Sequence, residues 1–311
     1  MRKWPEIKIN DGRKSLREWF MIFRRSVLEW IGDEAFFHSA ALGFYTLFSL
    51  APILIIAVAV AGFVFGPDAA RGEVSAQFDE IIGSESARLV ENLIRDSSPQ
   101  VAGSFQSIVG FVLMVVGATT VFHQLQRSLN SIWGVVAKPS RSSLFIFLKG
   151  RVLSLALVLT IGFLLLVSLV LSTLVTALIR YASGLIPFPS ELLSGADFFL
   201  SLIVFTLLFG MIFKVLPDVK IRWKACWKGA FLTAVLFSTG RYLIAIYLSR
   251  FGPASTYGAA GALVVVIFWV YYSGLILLFG AEFIKVYTYS RGIKVLPKAT
   301  AARVHRRIIE E

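Results

Sequence analysis

The residues of this chain that could do chemistry are polar or ionisable side chains set inside long apolar stretches. A charge held in hydrocarbon is costly and usually faces a polar interior, so each such residue is a functional candidate. Cations outnumber acids among them, which predicts a pathway for an anionic solute or lipid head group. A proline in the first stretch predicts a kink, whose free carbonyls could line that pathway, although a purely structural kink is commoner. The candidates are His38, Pro52, His123, Gln124, Arg127, Arg241 and Glu282.

The same residue types argue against an enzyme. The chain has three histidines and a single cysteine, Cys226, without an HExxH or CxxC pattern, so neither a disulfide within the chain nor a cysteine metal site is expected. Phosphodiester cleavage usually needs metal-binding carboxylates, and the acidic residues are not clustered at metal-ligand spacing. We therefore expect no catalytic residue, metal or cofactor, and a membrane-bound nuclease is the least favoured function.

The elements that must position these residues are predicted by composition. Hydrophobic residues make up 57% of the 311 residues, charged residues make up 16%, and the mean hydropathy is +0.75. About 20 apolar residues cross the hydrocarbon core of a bilayer as a helix. The chain is therefore predicted to be an all-α, polytopic membrane helix bundle with six transmembrane helices. The six stretches are 36–65, 104–132, 152–179, 198–216, 229–249 and 259–284.

Charge placement predicts the orientation of the bundle. The segments 1–35 and 285–311 carry eight and seven Lys or Arg residues, whereas the loop 66–103 carries three Arg against seven acidic residues. Basic residues concentrate in cytoplasmic segments. This predicts a transmembrane domain over 36–284 with an external loop at 66–103, between a cytoplasmic basic segment (1–35) and a cytoplasmic basic tail (285–311).

The net charge of +12 is explained by these cytoplasmic segments, so anionic lipid on the cytoplasmic face is the expected partner and nucleic acid is not. Lys214 and Lys285 lie near helix ends and are interpreted as anchors at the membrane interface. Arg241 lies too deep in its stretch for that role and needs a partner, a wet cavity or a route by which its side chain reaches the interface.

Two segments have helical periodicity but are too polar to cross a membrane. In 1–35, large apolar residues recur at helical spacing beside several arginines, which predicts an amphipathic helix on the cytoplasmic interface. A similar pattern in 66–103 predicts one or two external helices. Either helix could instead be an ordinary solvated helix packed on the protein.

Small residues at helical spacing predict surfaces where helices pack closely, within one chain or in a homo-oligomer. In the second stretch, glycines recur every seven residues and lead to Gln124, so its cytoplasmic half has a polar face. The predicted packing glycines are Gly43, Gly62, Gly66, Gly110, Gly117, Gly258 and Gly261.

Four segments resemble a known family. They are FFHSAALGFYTLFSLAPILIIAVAVAGFVFG, FHQLQRSLNSIW, VLPDVKIRWKACWKGA and YGAAGALVVVIFWVYYSGLILLFGAEFIKVY. Together, over about residues 25–290, they resemble the YihY/virulence factor BrkB family of bacterial inner-membrane proteins. The resemblance implies six transmembrane helices in the inner membrane and a link to envelope integrity. It implies no agreed catalytic or binding residues, and a former label of the family as a ribonuclease was mistaken.

Two functions remain open. A transporter- or flippase-like protein for an anionic solute or lipid predicts a polar cavity reached by Arg127 and Arg241. A structural or regulatory envelope protein without transport activity predicts that the small-residue surfaces are filled by other helices and that the core is dry. We expect the first function, and a map of cavities would discriminate the two.

Overall fold

A computed structural model describes residues 16–49, 105–138, 190–251 and 259–304. The elements in these ranges are six helical segments and four short strands. The helices are α1 (Leu16–Gly32), α2 (35–49), α3 (Phe105–Ile132), α4 (Ser190–Val215), α5 (Trp223–Phe251) and α6 (Ala259–Ser290). The strands are β1 (Val135–Ala137), β2 (Val219–Lys220), β3 (Leu296–Pro297) and β4 (Ala301–Arg303).

The predicted helical class is confirmed. Helices α4 and α6 contain the windows Phe198–Val215 and Leu263–Ser290, which are long and apolar enough to cross a membrane. The predicted third stretch, 152–179, and the external loop with its helices lie outside the described residues. The number of six transmembrane helices therefore stays a prediction.

Helix α6 lies at the centre of the described packing and contacts α1, α3 and α5, while α4 packs along α5. Side chains from these helices are fully buried where they meet, among them Phe213 of α4, Ala230 of α5 and Leu278 of α6. Helices α4, α5 and α6 therefore form one packed unit, and α1 and α3 pack against it through α6.

Close approach of α5 and α6 depends on glycines other than the predicted ones. A Cβ atom at Gly229 would overlap the Ile284 side chain, and one at Gly280 would overlap Thr233. A Cβ atom at Gly240 would likewise overlap the ring of Tyr272. These helices can therefore approach each other only because the three positions lack a side chain.

The predicted packing glycines have mixed outcomes. Gly43 on α2 faces Ile267 of α6, and a Cβ atom there would stand 3.6 Å from it, in ordinary contact. The carbonyl of Gly117 accepts a 2.6 Å hydrogen bond from Ser49, which joins α3 to α2. Gly110 and Gly261 lie within α3 and α6, but their surroundings are not described. The candidates outside the described residues are Pro52, Gly62, Gly66 and Gly258.

Within the described residues, the predicted all-α fold also contains four short strands, which the sequence did not predict. Strand β1 pairs with β4 and β2 pairs with β3, both antiparallel, so the segment after α6 folds back on the ends of α3 and α4. Gly134 and Gly292 permit these reversals, because each has a positive φ just after a helix ends. Helix α6 also continues to Ser290, past the predicted end at 284.

Helix α1 is confirmed as a helix, and it packs on α6. Its residues Ile22 and Ser26 are buried, and the indole of Trp30 donates a 3.1 Å hydrogen bond to the carbonyl of Leu275. Phe20 on another side of the helix is 66% exposed. One side of α1 therefore packs on α6, and contact of the other side with lipid stays a prediction.

Candidate functional site

Polar side chains of α3 form the first part of the candidate site. His123 and Arg127 are exposed and lie four residues apart, so they share one side of the helix. Thr120 and Gln124 beside them are half-buried. The predicted polar face of this helix is therefore present in its second half, and we call these four residues the α3 polar face.

The opposite side of α3 is packed, which gives the helix two distinct sides. Leu125, Leu129 and Ile132 are buried there. Ser128 is also buried, but it lies beside the polar face, where its hydroxyl donates a 3.0 Å hydrogen bond to the carbonyl of Gln124. Because the packed side holds the helix in place, the α3 polar face has a fixed orientation.

A polar contact that the sequence did not predict fixes the end of α3. The amide of Asn130 donates to the Asp218 carboxylate at 2.8 Å, and the backbone N–H of Asp218 donates to Asn130 Oδ1, also at 2.8 Å. Gln126 donates to the same carboxylate oxygen at 3.2 Å. All three residues lie in two of the segments that resemble the family. This was the only feature of the sequence that pointed to them.

Lys298 extends this contact into the folded-back tail. Its ammonium donates a 3.0 Å hydrogen bond to the carbonyl of Val215 at the end of α4, and its backbone N–H donates to the carbonyl of Asp218 at 2.8 Å. Burial lowers the pKa of Lys298, and the nearby Asp218 carboxylate partly opposes that shift. The tail is therefore attached to α4 through backbone carbonyls.

A second polar cluster joins α6 to α1 and corrects the interpretation of Lys285 as an interface anchor. Lys285 is 7% exposed. Its ammonium lies 2.5 Å from Asp33, 3.1 Å from Glu282 and 3.6 Å from Glu29. A buried ammonium needs such partners, because it has given up its hydration. We call these four residues the α1–α6 ion cluster.

The ion cluster determines the surroundings of the candidate Glu282. Its carboxyl group is fully buried and accepts a hydrogen bond from Lys285, one helical turn along α6, at 3.3 Å. Because the carboxyl groups of Asp33, Glu29 and Glu282 surround the Lys285 ammonium, its charge is already balanced within the protein. The described part of α6 therefore offers no buried cation to an anionic ligand at this point.

Aromatic rings continue the contact between α1 and α6. Trp19 stacks on Phe283 and Tyr287, with ring centroids 6.3 and 6.0 Å apart. Lys228 of α5 donates a 2.7 Å hydrogen bond to the Tyr287 hydroxyl and lies 5.5 Å from the Trp19 ring centroid. A cation over an aromatic face is attracted by the ring quadrupole, so three helices are joined here.

The other candidates, Arg241 and His38, are less buried than Glu282 and Lys285 of the ion cluster. Arg241 on α5 is half-buried, with its guanidinium 5.9 Å from the ring centroid of the neighbouring Tyr242. His38 on α2 is also half-buried. Glu282 is fully buried whereas His123 is exposed, so the candidates within the described residues differ in their surroundings.

An open groove of about 330 Å³ lies between α2 and α6. Its lining is almost entirely apolar and includes Gly43, Ile267 and Tyr271. Arg127 and Arg241 do not line this groove. This groove is therefore not the polar cavity that transport predicts, and a cavity reached by Arg127 and Arg241 stays a prediction.

The part of the chain that the structure describes contains one cysteine and no cluster of metal-ligating side chains. In these ranges no group of three His, Cys, Asp or Glu side chains stands where it could hold a metal ion. Cys226 is fully buried, and burial raises the pKa of its thiol to about 11, with Lys214 partly opposing that shift. A thiol in this state is a poor nucleophile.

Comparison with known proteins identifies relatives along most of the chain. The family described as Virulence factor BrkB matches residues 27–305. A UPF0761 membrane protein of Legionella pneumophila is 29% identical over 263 residues, which cover 84% of this chain and 60% of that protein. A UPF0761 membrane protein of Pseudoalteromonas translucida is 26% identical over 258 residues, covering 81% of each protein. No solved structure matches the chain.

The matched segment spans less than two thirds of the Legionella relative, so that protein has further sequence outside the match. The relatives are named as membrane proteins, which agrees with the apolar helices α4 and α6. The family predicted from the four quoted motifs is confirmed by a match over residues 27–305. The chain belongs to the Virulence factor BrkB family and is a helical membrane protein.

Proposed function

We propose that this protein is a transporter- or flippase-like protein that moves an anionic solute or lipid across the bacterial inner membrane, and that it thereby contributes to envelope integrity. The α3 polar face carries the proposal. It presents an exposed cation, Arg127, and an exposed imidazole, His123, on a helix that also has a packed apolar side.

The cost of polar groups in lipid supports this role. Hydrocarbon solvates a guanidinium poorly, so an arginine on a membrane helix usually faces water, a partner or a substrate pathway. Lys285 already has three carboxyl groups as partners in the α1–α6 ion cluster. Arg127 is therefore a better candidate than Lys285 for the group that attracts the anion.

The proposed topology has six transmembrane helices and both ends in the cytoplasm. It rests on the basic residues of 1–35 and 285–311 and on the positive-inside rule. In this topology the exposed residues of α3 lie toward the cytoplasmic side. We propose no catalytic step for the chain.

Flux measurements in proteoliposomes test this proposal. Purified protein is reconstituted into liposomes, and efflux of several small anions and scrambling of a fluorescent anionic lipid are compared with those of protein-free liposomes. We expect transport of at least one substrate above the protein-free rate. Arg127→Gln should lower that rate about tenfold, as expected for losing one charge-assisted hydrogen bond.

Two further variants make the test specific. Arg127→Lys keeps the positive charge and should retain part of the rate. Lys294→Gln removes an exposed cation from the tail and should leave the rate unchanged. Equal rates for the wild type and Arg127→Gln would contradict the role of Arg127.

A second candidate function is a structural or regulatory role in the envelope, without transport activity. In this role, copies of the protein would associate through their small-residue surfaces. The contacts of Gly229, Gly240 and Gly280 favour it, because they make α5 and α6 a closely packed pair. Rates that never exceed those of protein-free liposomes, from a protein that is folded, would support this candidate over transport.

A further inference from the structure

Two exposed tryptophans at the start of α5 form an unusual surface. Trp223 and Trp227 are 45% and 39% exposed, and their rings stack with centroids 5.8 Å apart and planes inclined by 25°. They lie four residues apart, so both rings stand on the same side of the helix. A large aromatic surface this exposed calls for a partner.

Helix α4 holds both rings in place. A Cβ atom at Gly210 would lie only 3.3 Å from the Trp227 ring, so this ring packs directly against α4. One turn further along α4, the Lys214 ammonium lies 5.4 Å from the Trp223 ring centroid and donates a hydrogen bond to the carbonyl of Ile221. The rings are therefore part of a preformed surface.

Basic residues stand next to the two tryptophans in the sequence. Lys220, Arg222 and Lys224 are all exposed. The sequence contains no acidic residue between 219 and 281, and the preceding Asp218 is hydrogen-bonded to Asn130. The first N–H groups of α5 add the partial positive charge of a helix N-terminus.

The surface lies at the end of an apolar membrane-length helix. The apolar window of α4 ends at Val215, one residue after the lysine that contacts Trp223. Tryptophan is enriched where membrane helices leave the hydrocarbon, because its ring is apolar and its N–H is polar. Lysine and arginine at that level attract anionic lipid.

We propose that Trp223, Trp227, Arg222 and Lys224 form a binding surface for an anionic phospholipid. The phosphate binds at the start of α5, where Arg222 and Lys224 supply positive charge, and the glycerol and upper acyl chain lie against the two indole rings. This binding goes beyond the proposed function, because it requires equilibrium binding at the end of α4 and α5 and no movement of a substrate along α3.

Native mass spectrometry of the full chain tests this proposal. The detergent-purified protein is mixed with phosphatidylglycerol or with phosphatidylcholine of the same acyl chains, and the lipid adducts are counted over a range of concentrations. We expect the wild type to bind phosphatidylglycerol more tightly. The double variant Arg222→Gln/Lys224→Gln should lose roughly tenfold in affinity for phosphatidylglycerol and little for phosphatidylcholine.

A matched control removes the same charge elsewhere. Lys138 and Lys294 are exposed cations, so Lys138→Gln/Lys294→Gln should bind phosphatidylglycerol like the wild type. An equal loss in both double variants would mean a general charge effect and overturn the proposal. Unchanged binding in Arg222→Gln/Lys224→Gln would also overturn it and leave an acidic protein segment as the alternative occupant.

A third variant tests the aromatic half of the surface. Trp223→Leu/Trp227→Leu keeps all the cations and should weaken binding of both lipids by a similar factor, because the acyl contact is lost. Arg222→Lys/Lys224→Arg keeps the charge and should retain the preference for phosphatidylglycerol. This result would show that the protein tolerates other side chains at these two positions. Tryptophan variants that bind both lipids as the wild type does would contradict the assigned role of the rings.

Discussion

The ammonium of Lys285 lies 2.5 Å from the carboxylate of Asp33, although 252 residues separate them in the sequence. Lys285 belongs to α6, and Asp33 stands in the turn between α1 and α2. The pair fixes the position of that turn against α6. The neighbouring Glu34 has a positive φ of 57°, so the turn also contains a backbone conformation that non-glycine residues seldom adopt.

Replacing Lys285 should destabilise the protein strongly. Lys285→Met leaves the buried Glu282 and its neighbours Asp33 and Glu29 without their shared cation, and breaking a buried ion pair costs about 3–5 kcal/mol. Denaturant unfolding in detergent, followed by circular dichroism, measures the change. Lys294→Met, at an exposed position, is the control and should have little effect. A stability loss below about 1 kcal/mol in Lys285→Met would show that the cluster contributes little.

The reciprocal contact of Asn130 and Asp218 should be measurable as a coupling energy. Each single alanine variant leaves a partner unsatisfied, so each should lose about 1–3 kcal/mol of unfolding free energy. The double variant Asn130→Ala/Asp218→Ala should lose less than the sum of the two single variants, by about 0.5–3 kcal/mol. Additive losses in a double-mutant cycle would mean that the two side chains do not stabilise each other.

Gly280 should not tolerate a side chain. Gly280→Ala places a methyl group against Thr233 and Phe213, and overpacking of this kind costs about 1–3 kcal/mol. Gly32→Ala is the control, because a Cβ atom at Gly32 meets no atom within 4 Å and alanine favours the helix. Thermal unfolding of both variants in the same detergent tests the contact. Equal midpoints for Gly280→Ala and the wild type would contradict it.

Cys226 should react slowly with maleimide in the folded protein. Its side chain is fully buried, and burial raises its thiol pKa to about 11, so little thiolate exists at pH 7 to 8. Raising the pH toward 11 increases the thiolate fraction, and unfolding exposes the thiol. Mass spectrometry after timed labelling should show slow modification that becomes rapid in denaturant. An added cysteine in Lys294→Cys, at an exposed position, should label at once. Rapid labelling of Cys226 itself would mean that the packing around it opens readily.

Apolar length and helical periodicity predicted α4 and α6 because those signals are local. The predicted stretch 198–216 ends within one residue of α4, which ends at Val215. The polar face of α3 was also predictable, since residues 123, 124 and 127 lie on adjoining positions of one helix. These features depend on a few consecutive turns and on no distant contact.

The two polar clusters could not be predicted in the same way. Asn130 and Asp218 lie 88 residues apart, and neither segment alone indicates its partner. Lys285 resembles an interface anchor because it stands near the end of an apolar stretch, yet α1 supplies Glu29 and the turn after α1 supplies Asp33 as its partners. The strands β3 and β4 are also set by distant pairing, since each has only two or three residues.

The ratio of anion or lipid flux between wild-type protein and Arg127→Gln, in liposomes of identical composition, tests the proposed function most directly. We predict flux above the protein-free rate for the wild type and a rate about tenfold lower for Arg127→Gln, with Lys294→Gln equal to the wild type. A folded wild-type protein with no flux above protein-free liposomes, or equal flux from the wild type and Arg127→Gln, would contradict transport along the α3 polar face.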